Sequence, residues 1–432
     1  MDITMNKWML ATFLSSVALN GYAITLGDEA TESRYNVSIR SSEMAEFPIC
    51  MGSLVDRYWV LTAAHCVVMP GDDEESEKDY HVTLPGKLAI TFGSISLEVS
   101  DDGTPSDINN IINVSHIVVH PSYRRVHQVE MTELGDELIS TTMTDDIALL
   151  RLELPLDSIA PVTLASPAKM AEIEPVLMDA WRALVGGDTR PSNIHLAGWG
   201  SKNEQDPYAK KVSVSLQETQ LAYFPVLECF NRLESGKNYP EFIPNSADPS
   251  KFCTQPTKWS EYQYIDPDDP EEEPIYEGQL VGNSACLGDS GTALIATDVN
   301  NTEYQVGVAS GGPLVEPICG SVTIPNFHSK VSYYYDWIQE YLGNESAPES
   351  TIVPPEFIEN ANQSIDAPED EGSAGDGDSD EVTLPEEDTE ICDESASVFK
   401  ECGESSSGSL GTLGVGLLGL IVLYRRLRNR VL

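Results

Sequence analysis

Positive charge is scarce in this 432-residue chain: 25 Lys+Arg stand against 70 Asp+Glu, a formal charge of −45. Binding nucleic acid takes clustered cations that release counterions from phosphate, so nucleic acid is excluded as a partner. Long apolar runs are missing except at the two ends, which excludes a multi-spanning membrane protein. Helical periodicity is sparse before Tyr333–Leu342. Close Cys pairs at metal-ligand spacing are lacking, and neither a metal nor a cofactor is expected. What remains is a chain with 41% apolar residues, enough for a substantial core. Its eight cysteines form an even set that suits disulfides outside the cytoplasm.

The ends read as addresses. Lys7, the apolar stretch Trp8–Leu19 and Gly21-Tyr22-Ala23 predict a signal peptide over 1–23, cleaved after Ala23. At the other end, 410–432 holds the apolar stretch Leu410–Tyr424 followed by Arg425, Arg426, Arg428 and Arg430. The stretch is short for a bilayer, which takes about 20 residues, although arginines can snorkel. The basic cluster would stay cytoplasmic, leaving everything before it outside. Together with Ser405–Ser409, this tail resembles the GlyGly-type C-terminal sorting signal of Gram-negative bacteria. That resemblance implies a rhomboid-like sorting protease as a partner, membrane contact through the tail alone, and a protein exported to the cell surface or released. Between fold and tail, residues 344–409 are acidic and poor in aromatics, which predicts a disordered, extended stalk. Cys392 and Cys402 would close a small loop within it. The runs Asp72–Glu77 and Asp376–Glu381 read as solvated charge.

The middle alternates short β-rich runs (Tyr58–Thr62, Leu88–Phe92, Ile111–Val119, Ile147–Leu152, Gln305–Ala309) with Gly, Pro and Asp turns, an all-β pattern closed by one terminal helix. Three segments stand out: Val60–Cys66 around His65, Thr144–Leu150 around Asp145-Asp146, and Ser284–Gly291 around Ser290. A serine hydroxyl is a weak nucleophile, so an imidazole must take its proton and a carboxylate must hold the imidazole tautomer. His, Asp and Ser in this order on an all-β chain supply the three types together.

On these segments, and on Cys50-Met-Gly-Ser-Leu-Val, Val114–Tyr123, Leu196-Ala-Gly-Trp199-Gly200 and the Trp337 helix, residues 24–343 resemble the chymotrypsin/trypsin serine proteases. The resemblance implies two packed six-stranded antiparallel barrels with the active site between them. It makes His65 the general base, Asp146 its orienter and Ser290 the nucleophile. Asp145 is the rival carboxylate, set aside because the family's aspartate directly precedes the Ile-Ala-Leu strand. The N–H groups of Gly288 and Ser290 would form the oxyanion hole. Disulfides Cys50–Cys66, Cys229–Cys253 and Cys286–Cys319 are implied, leaving Cys392–Cys402 for the stalk. In the same way Ile24, the first residue after signal cleavage, would be the activating N-terminus that inserts beside Asp289. The pocket base would be Ser284, where tryptic members have Asp, with Ser310, Gly311 and Asn326 as walls; an uncharged P1 residue follows. Arg124–Thr144 and Thr257–Gly282 are insertions, read either as solvated loops or as an aromatic-acidic exosite for basic polypeptides.

The function these readings support is an exported serine endopeptidase acting on polypeptides through an acyl-enzyme. The alternative is a catalytically weak homologue acting as a surface binding module. Such homologues lose a triad member or the oxyanion glycine, and all four positions are filled here.

Overall fold

The computed structural model describes residues 24–358 apart from 42–47, 71–79, 98–107, 132–136, 185–188, 202–212, 236–239, 241, 265–274 and 313–318. The signal peptide, both acidic runs, the Cys392/Cys402 pair and the hydrophobic tail lie outside the described residues. Among the described residues, no helix is long and apolar enough to cross a membrane.

The first half of the chain forms β1 (Asp28–Glu29), β2 (Asn36–Arg40), β3 (Cys50–Asp56), β4 (Trp59–Thr62), β5 (Val68–Met69), β6 (His81–Val82), β7 (Ala89–Phe92), β8 (Ile111–Val119), β9 (Arg124–Met131), β10 (Glu137–Thr144) and β11 (Ala148–Leu152). The second half forms α1 (Pro167–Arg182), β12 (Ile194–Gly198), β13 (Gln217–Phe224), α2 (Val226–Leu233), β14 (Lys251–Gln255), β15 (Trp259–Tyr264), β16 (Ile275–Gly282), β17 (Ala293–Thr297), β18 (Glu303–Gly311), β19 (Asn326–Lys330), α3 (Val331–Gln339) and β20 (Ile352–Val353).

Two closed six-stranded antiparallel barrels result, the architecture the sequence leads one to expect. In the first, β11, β4, β3, β2, β7 and β8 run in order and β11 pairs back with β8. In the second, β13, β12, β17, β18, β19 and β14 run in order and β13 pairs back with β14, while β1 adds to β13 from outside. Closure leaves no unpaired edge within either ring. Some strands are buried on both faces: β11 (ALLRL) and β14 (KFCTQ) are covered along their whole length. Val37, Leu54, Val60 and Leu149 build the first core, with Tyr334 and Ile338 of α3 packed on it. Ile24, Leu196, Leu221, Phe252 and Leu294 build the second.

Four local features differ from expectation. The terminal helix spans Val331–Gln339 and starts earlier than Tyr333. Helix α1 was not foreseen. Ser166 caps it by accepting from Lys169 N at 3.2 Å, Pro167 opens it, and Met170, Ile173 and Leu177 form its buried face. The two insertions are hairpins rather than irregular loops, β9 with β10 and β15 with β16.

The fourth difference moves a boundary. The stalk was placed from residue 344, yet the chain stays on the first barrel through Ile358. Arg151 Nη2 donates to Glu345 O at 2.7 Å, β20 pairs in parallel with β8, and Glu356 N donates to Pro121 O at 2.9 Å. Phe357 is buried edge-on against Tyr80, 5.9 Å between ring centroids, and also packs on Tyr123. Two apolar side chains, Phe357 and Ile358, give this acidic segment enough burial to order it, at about 2 kcal/mol each. A chain ended at Asn360 is therefore expected to melt with the full-length protein, whereas one ended at Gly343 melts about 5 °C or more lower. Equal melting temperatures, read by calorimetry, would contradict the boundary.

Candidate active site

The chain leaves β4 at Thr62 and enters a 3-10 turn, Ala64–Cys66, that presents His65. A disulfide from Cys66 to Cys50 ties this turn to the start of β3. His65 is 4% exposed. Its backbone N–H donates to Asp146 Oδ1 at 2.9 Å, and Nδ1 lies 2.8 Å from Oδ2 of the same carboxylate. This fixes the ring, because an Nδ1–H directed at a carboxylate leaves Nε2 as the open acceptor.

Asp146 is fully buried at the seam between the barrels. Ser310 of β18 donates its hydroxyl to Oδ2, and Ser329 of β19 donates to the Asp146 backbone carbonyl at 2.7 Å. Burial pushes the carboxyl up, but the His65 imidazole and its hydrogen bonds, with the Ser310 hydroxyl, bring it below the usual carboxylate range. The group is therefore ionised at neutral pH. Asp145 takes a left-handed backbone conformation, φ +52°, that turns it away, and its Oδ1 accepts from Tyr334 at 3.2 Å. Burial holds its carboxyl up. The two neighbouring aspartates thus face different partners, and the one bonded to His65 is Asp146.

Ser290 lies half-buried in the loop between β16 and β17. Its carbonyl accepts from Met51 N at 2.8 Å and lies 3.8 Å from Cys66 Sγ, which brings the serine loop of the second barrel onto the histidine turn of the first. Gly291 makes this approach possible. It has φ +87°, and a Cβ there would overlap Met51 O and Thr62 Oγ1. Gly288, φ +92°, turns the chain two residues before Ser290, as a loop presenting successive amides requires.

Ser284 is buried, and its backbone pairs with Thr25, N–H to O at 3.0 and 3.2 Å. Asn326 Nδ2 donates to the Ser284 hydroxyl at 2.6 Å, and Asn326 Oδ1 lies 2.4 Å from where a Cβ on Gly312 would sit, so Gly312 adjoins this polar pair. The Ser310 hydroxyl, expected on the pocket wall, is turned to Asp146.

Ile24 is fully buried in the second core, one residue from the strand-like contact with Ser284. Asp289 is also fully buried. Gly200 N donates to its Oδ1 at 2.8 Å and Cys286 N to its Oδ2 at 2.9 Å. Burial pushes this carboxyl up to about 7 despite those two bonds. Cys286–Cys319 and Cys229–Cys253 are disulfides, completing the three pairs expected in the folded domain. Cys50, Cys66 and His65 lie close together, but the two sulfurs are bonded to each other and offer no thiolate to a metal. Ser329 and Lys251, both buried beneath Asp146, carried no sequence signal beyond being polar residues in β-rich runs.

The folded chain holds the Asp289 proton that an unfolded carboxyl releases near 3.8, so the stability tied to that proton is full below about 4 and is lost as pH rises toward 7. Urea denaturation of the full chain carrying Ser290→Ala, with the Ala23–Ile24 bond intact, is expected to show this slope, up to about 1.4 kcal/mol per pH unit. Asp289→Asn removes it; equal slopes in both proteins would contradict the reading.

Comparison with known proteins places this geometry. The family model described as Trypsin matches residues 24–338. Among similar proteins, a tryptase of Mus musculus is 27% identical over 337 residues, 75% of this chain and 90% of the tryptase. Phenoloxidase-activating factor 3 of Holotrichia diomphalia is 26% identical over 304 residues, 67% of this chain and 63% of that protein. An ovochymase of Halocynthia roretzi is 24% identical over 306 residues, 70% of this chain but 14% of that much longer protein. Since the family model covers most of its length, the chain belongs to the trypsin family and carries a trypsin-like serine protease domain.

Proposed function

We propose that this protein is an exported serine endopeptidase that cleaves polypeptides through an acyl-enzyme. The observation that carries the proposal is the buried pair of His65 and Asp146, joined by Nδ1–Oδ2 and N–Oδ1 bonds of 2.8 and 2.9 Å. In this reading His65 Nε2 takes the proton of the Ser290 hydroxyl as the oxygen attacks the scissile carbonyl. Asp146 holds the tautomer and stabilises the imidazolium that forms. The amides of Gly288 and Ser290 receive the negative charge of the tetrahedral intermediate. The imidazolium then protonates the leaving amine, and a water activated by the same imidazole releases the acyl group.

Signal peptidase cleavage after Ala23 would free the Ile24 ammonium next to the buried Asp289, supplying the cation a buried carboxylate needs. The burial of both residues supports this step. The Ser284–Asn326 hydrogen bond supports an uncharged, non-tryptic P1 residue, since neither side chain offers a negative charge. Export through residues 1–23, an acidic stalk before the tail, and sorting of 410–432 by a rhomboid-like protease complete the reading. Three disulfides fit a protein folded in an oxidising compartment.

A fluorophosphonate probe is expected to label the exported protein at Ser290, and no label should appear on Ser290→Ala. Asp146→Asn should lower kcat by about 10⁴, while Asp145→Asn stays within a few-fold of wild type. An unlabelled wild type would instead support the binding-module alternative. On a peptide library, cleavage after Lys or Arg should be at least about tenfold less efficient than after uncharged residues. A Lys/Arg preference would remove the pocket assignment.

A further inference from the structure

Lys251, the first residue of β14, is 1% exposed. Burying an ammonium costs several kcal/mol unless the surroundings compensate, so a lysine in this position calls for a reason. Its Nζ donates to the carbonyl of Met143 at 3.3 Å and lies 5.5 Å from the centroid of the Phe327 ring. Among the described residues it makes no close ion pair, yet acids surround it. Asp145 and Asp146 face it from the β10–β11 connection, Asp248 from the turn before β14 and Glu234 from the end of α2. His328 of β19 faces it from the strand side, and Tyr334 of α3 faces the same acids. Burial lowers the ammonium's pKa and the four carboxylates oppose that, Asp146 foremost.

The backbone register gives the contact its meaning. Lys251 is directly paired with Ser329 across β14 and β19. These two neighbours reach the same short segment of the first half of the chain: Lys251 holds the Met143 carbonyl, and Ser329 holds the Asp146 carbonyl at 2.7 Å. Between those points Asp145 turns through its left-handed conformation, held by Tyr334. The segment that delivers Asp146 is thus strapped to the second barrel at both ends.

We infer that Lys251 is a positioning residue for Asp146, fixing the Met143–Asp146 segment through its hydrogen bond and setting the charge beneath the His65–Asp146 pair. The inference rests on the proposed roles of His65, Asp146 and Ser290. Without the Lys251 bond the segment that delivers Asp146 is held from one end only, and the misplacement falls on the groups that orient the His65 ring.

The test compares Lys251→Met, close in length but neutral, with Lys251→Gln, which keeps a donor without the charge. Lys251→Met should lower kcat several-fold with KM little changed, since its effect is on geometry at the reacting groups and not on the pocket. Lys251→Gln should retain more of kcat. Folded variants whose kcat and KM both match wild type overturn the inference. So does loss of folding in both variants, which makes Lys251 a structural residue only. Fluorophosphonate labelling of the wild-type chain separates the two readings. An unlabelled wild type defeats the protease assignment itself, whereas a labelled wild type with kcat unchanged in Lys251→Met defeats only the role of Lys251.

Discussion

A charged carboxylate with no exposure to water is the constraint around which this molecule is arranged. Asp146 stays ionised because its two carboxylate oxygens are occupied, by His65 from the first barrel and by the Ser310 hydroxyl from the second. Removing either set of partners leaves a buried charge uncompensated, a penalty of several kcal/mol. The two barrels are therefore coupled through polar chemistry at the seam as well as through apolar contact. The Met51–Ser290 hydrogen bond and the close approach at Gly291 make a second seam beside it. The parts with chemical work to do lie where the barrels have least freedom to slide.

A second buried carboxylate stands in contrast. Asp289 receives two backbone N–H bonds, fewer than its burial requires, and its pKa is pushed to about 7. One carboxylate is supplied with donors and kept charged, while the other is left short of a cation. Two aspartates of one chain thus have opposite proton affinities, set by what their neighbours donate and not by depth, since both are fully buried. The short distance along the chain from Asp289 to Ser290 makes the protonation of one relevant to the conformation of the other.

Much of this was legible in the sequence. Apolar β-rich runs such as Ile147–Leu152 had to be buried strands, and His65, Asp146 and Ser290 lay in segments distinctive enough to be picked out before any coordinates. The three disulfides followed from the resemblance those segments carry. What escaped was tertiary in origin. Helix α1 buries Met170, Ile173 and Leu177 against the second barrel in spite of Pro175 in its middle, so that packing outweighs local propensity. The strand Ile352–Val353 and the buried Phe357 sit in an acidic stretch, and only the partners Tyr80 and Tyr123, far back in the chain, show why they order. That the Ser310 hydroxyl would reach Asp146 across the seam was not legible in the sequence. Lys251 was invisible, since no sequence pattern announces that a lysine will be buried among acids.

The central claim is that His65 shares its Nδ1 proton with the buried carboxylate of Asp146, and proton NMR reads that bond directly. A hydrogen held between an imidazole nitrogen and a carboxylate is deshielded well beyond the amide envelope. One such far-downfield resonance is predicted in the chain carrying Ser290→Ala, retained in Asp145→Asn and lost in both His65→Ala and Asp146→Asn. A folded protein without that resonance, or one in which it survives Asp146→Asn, would contradict the account.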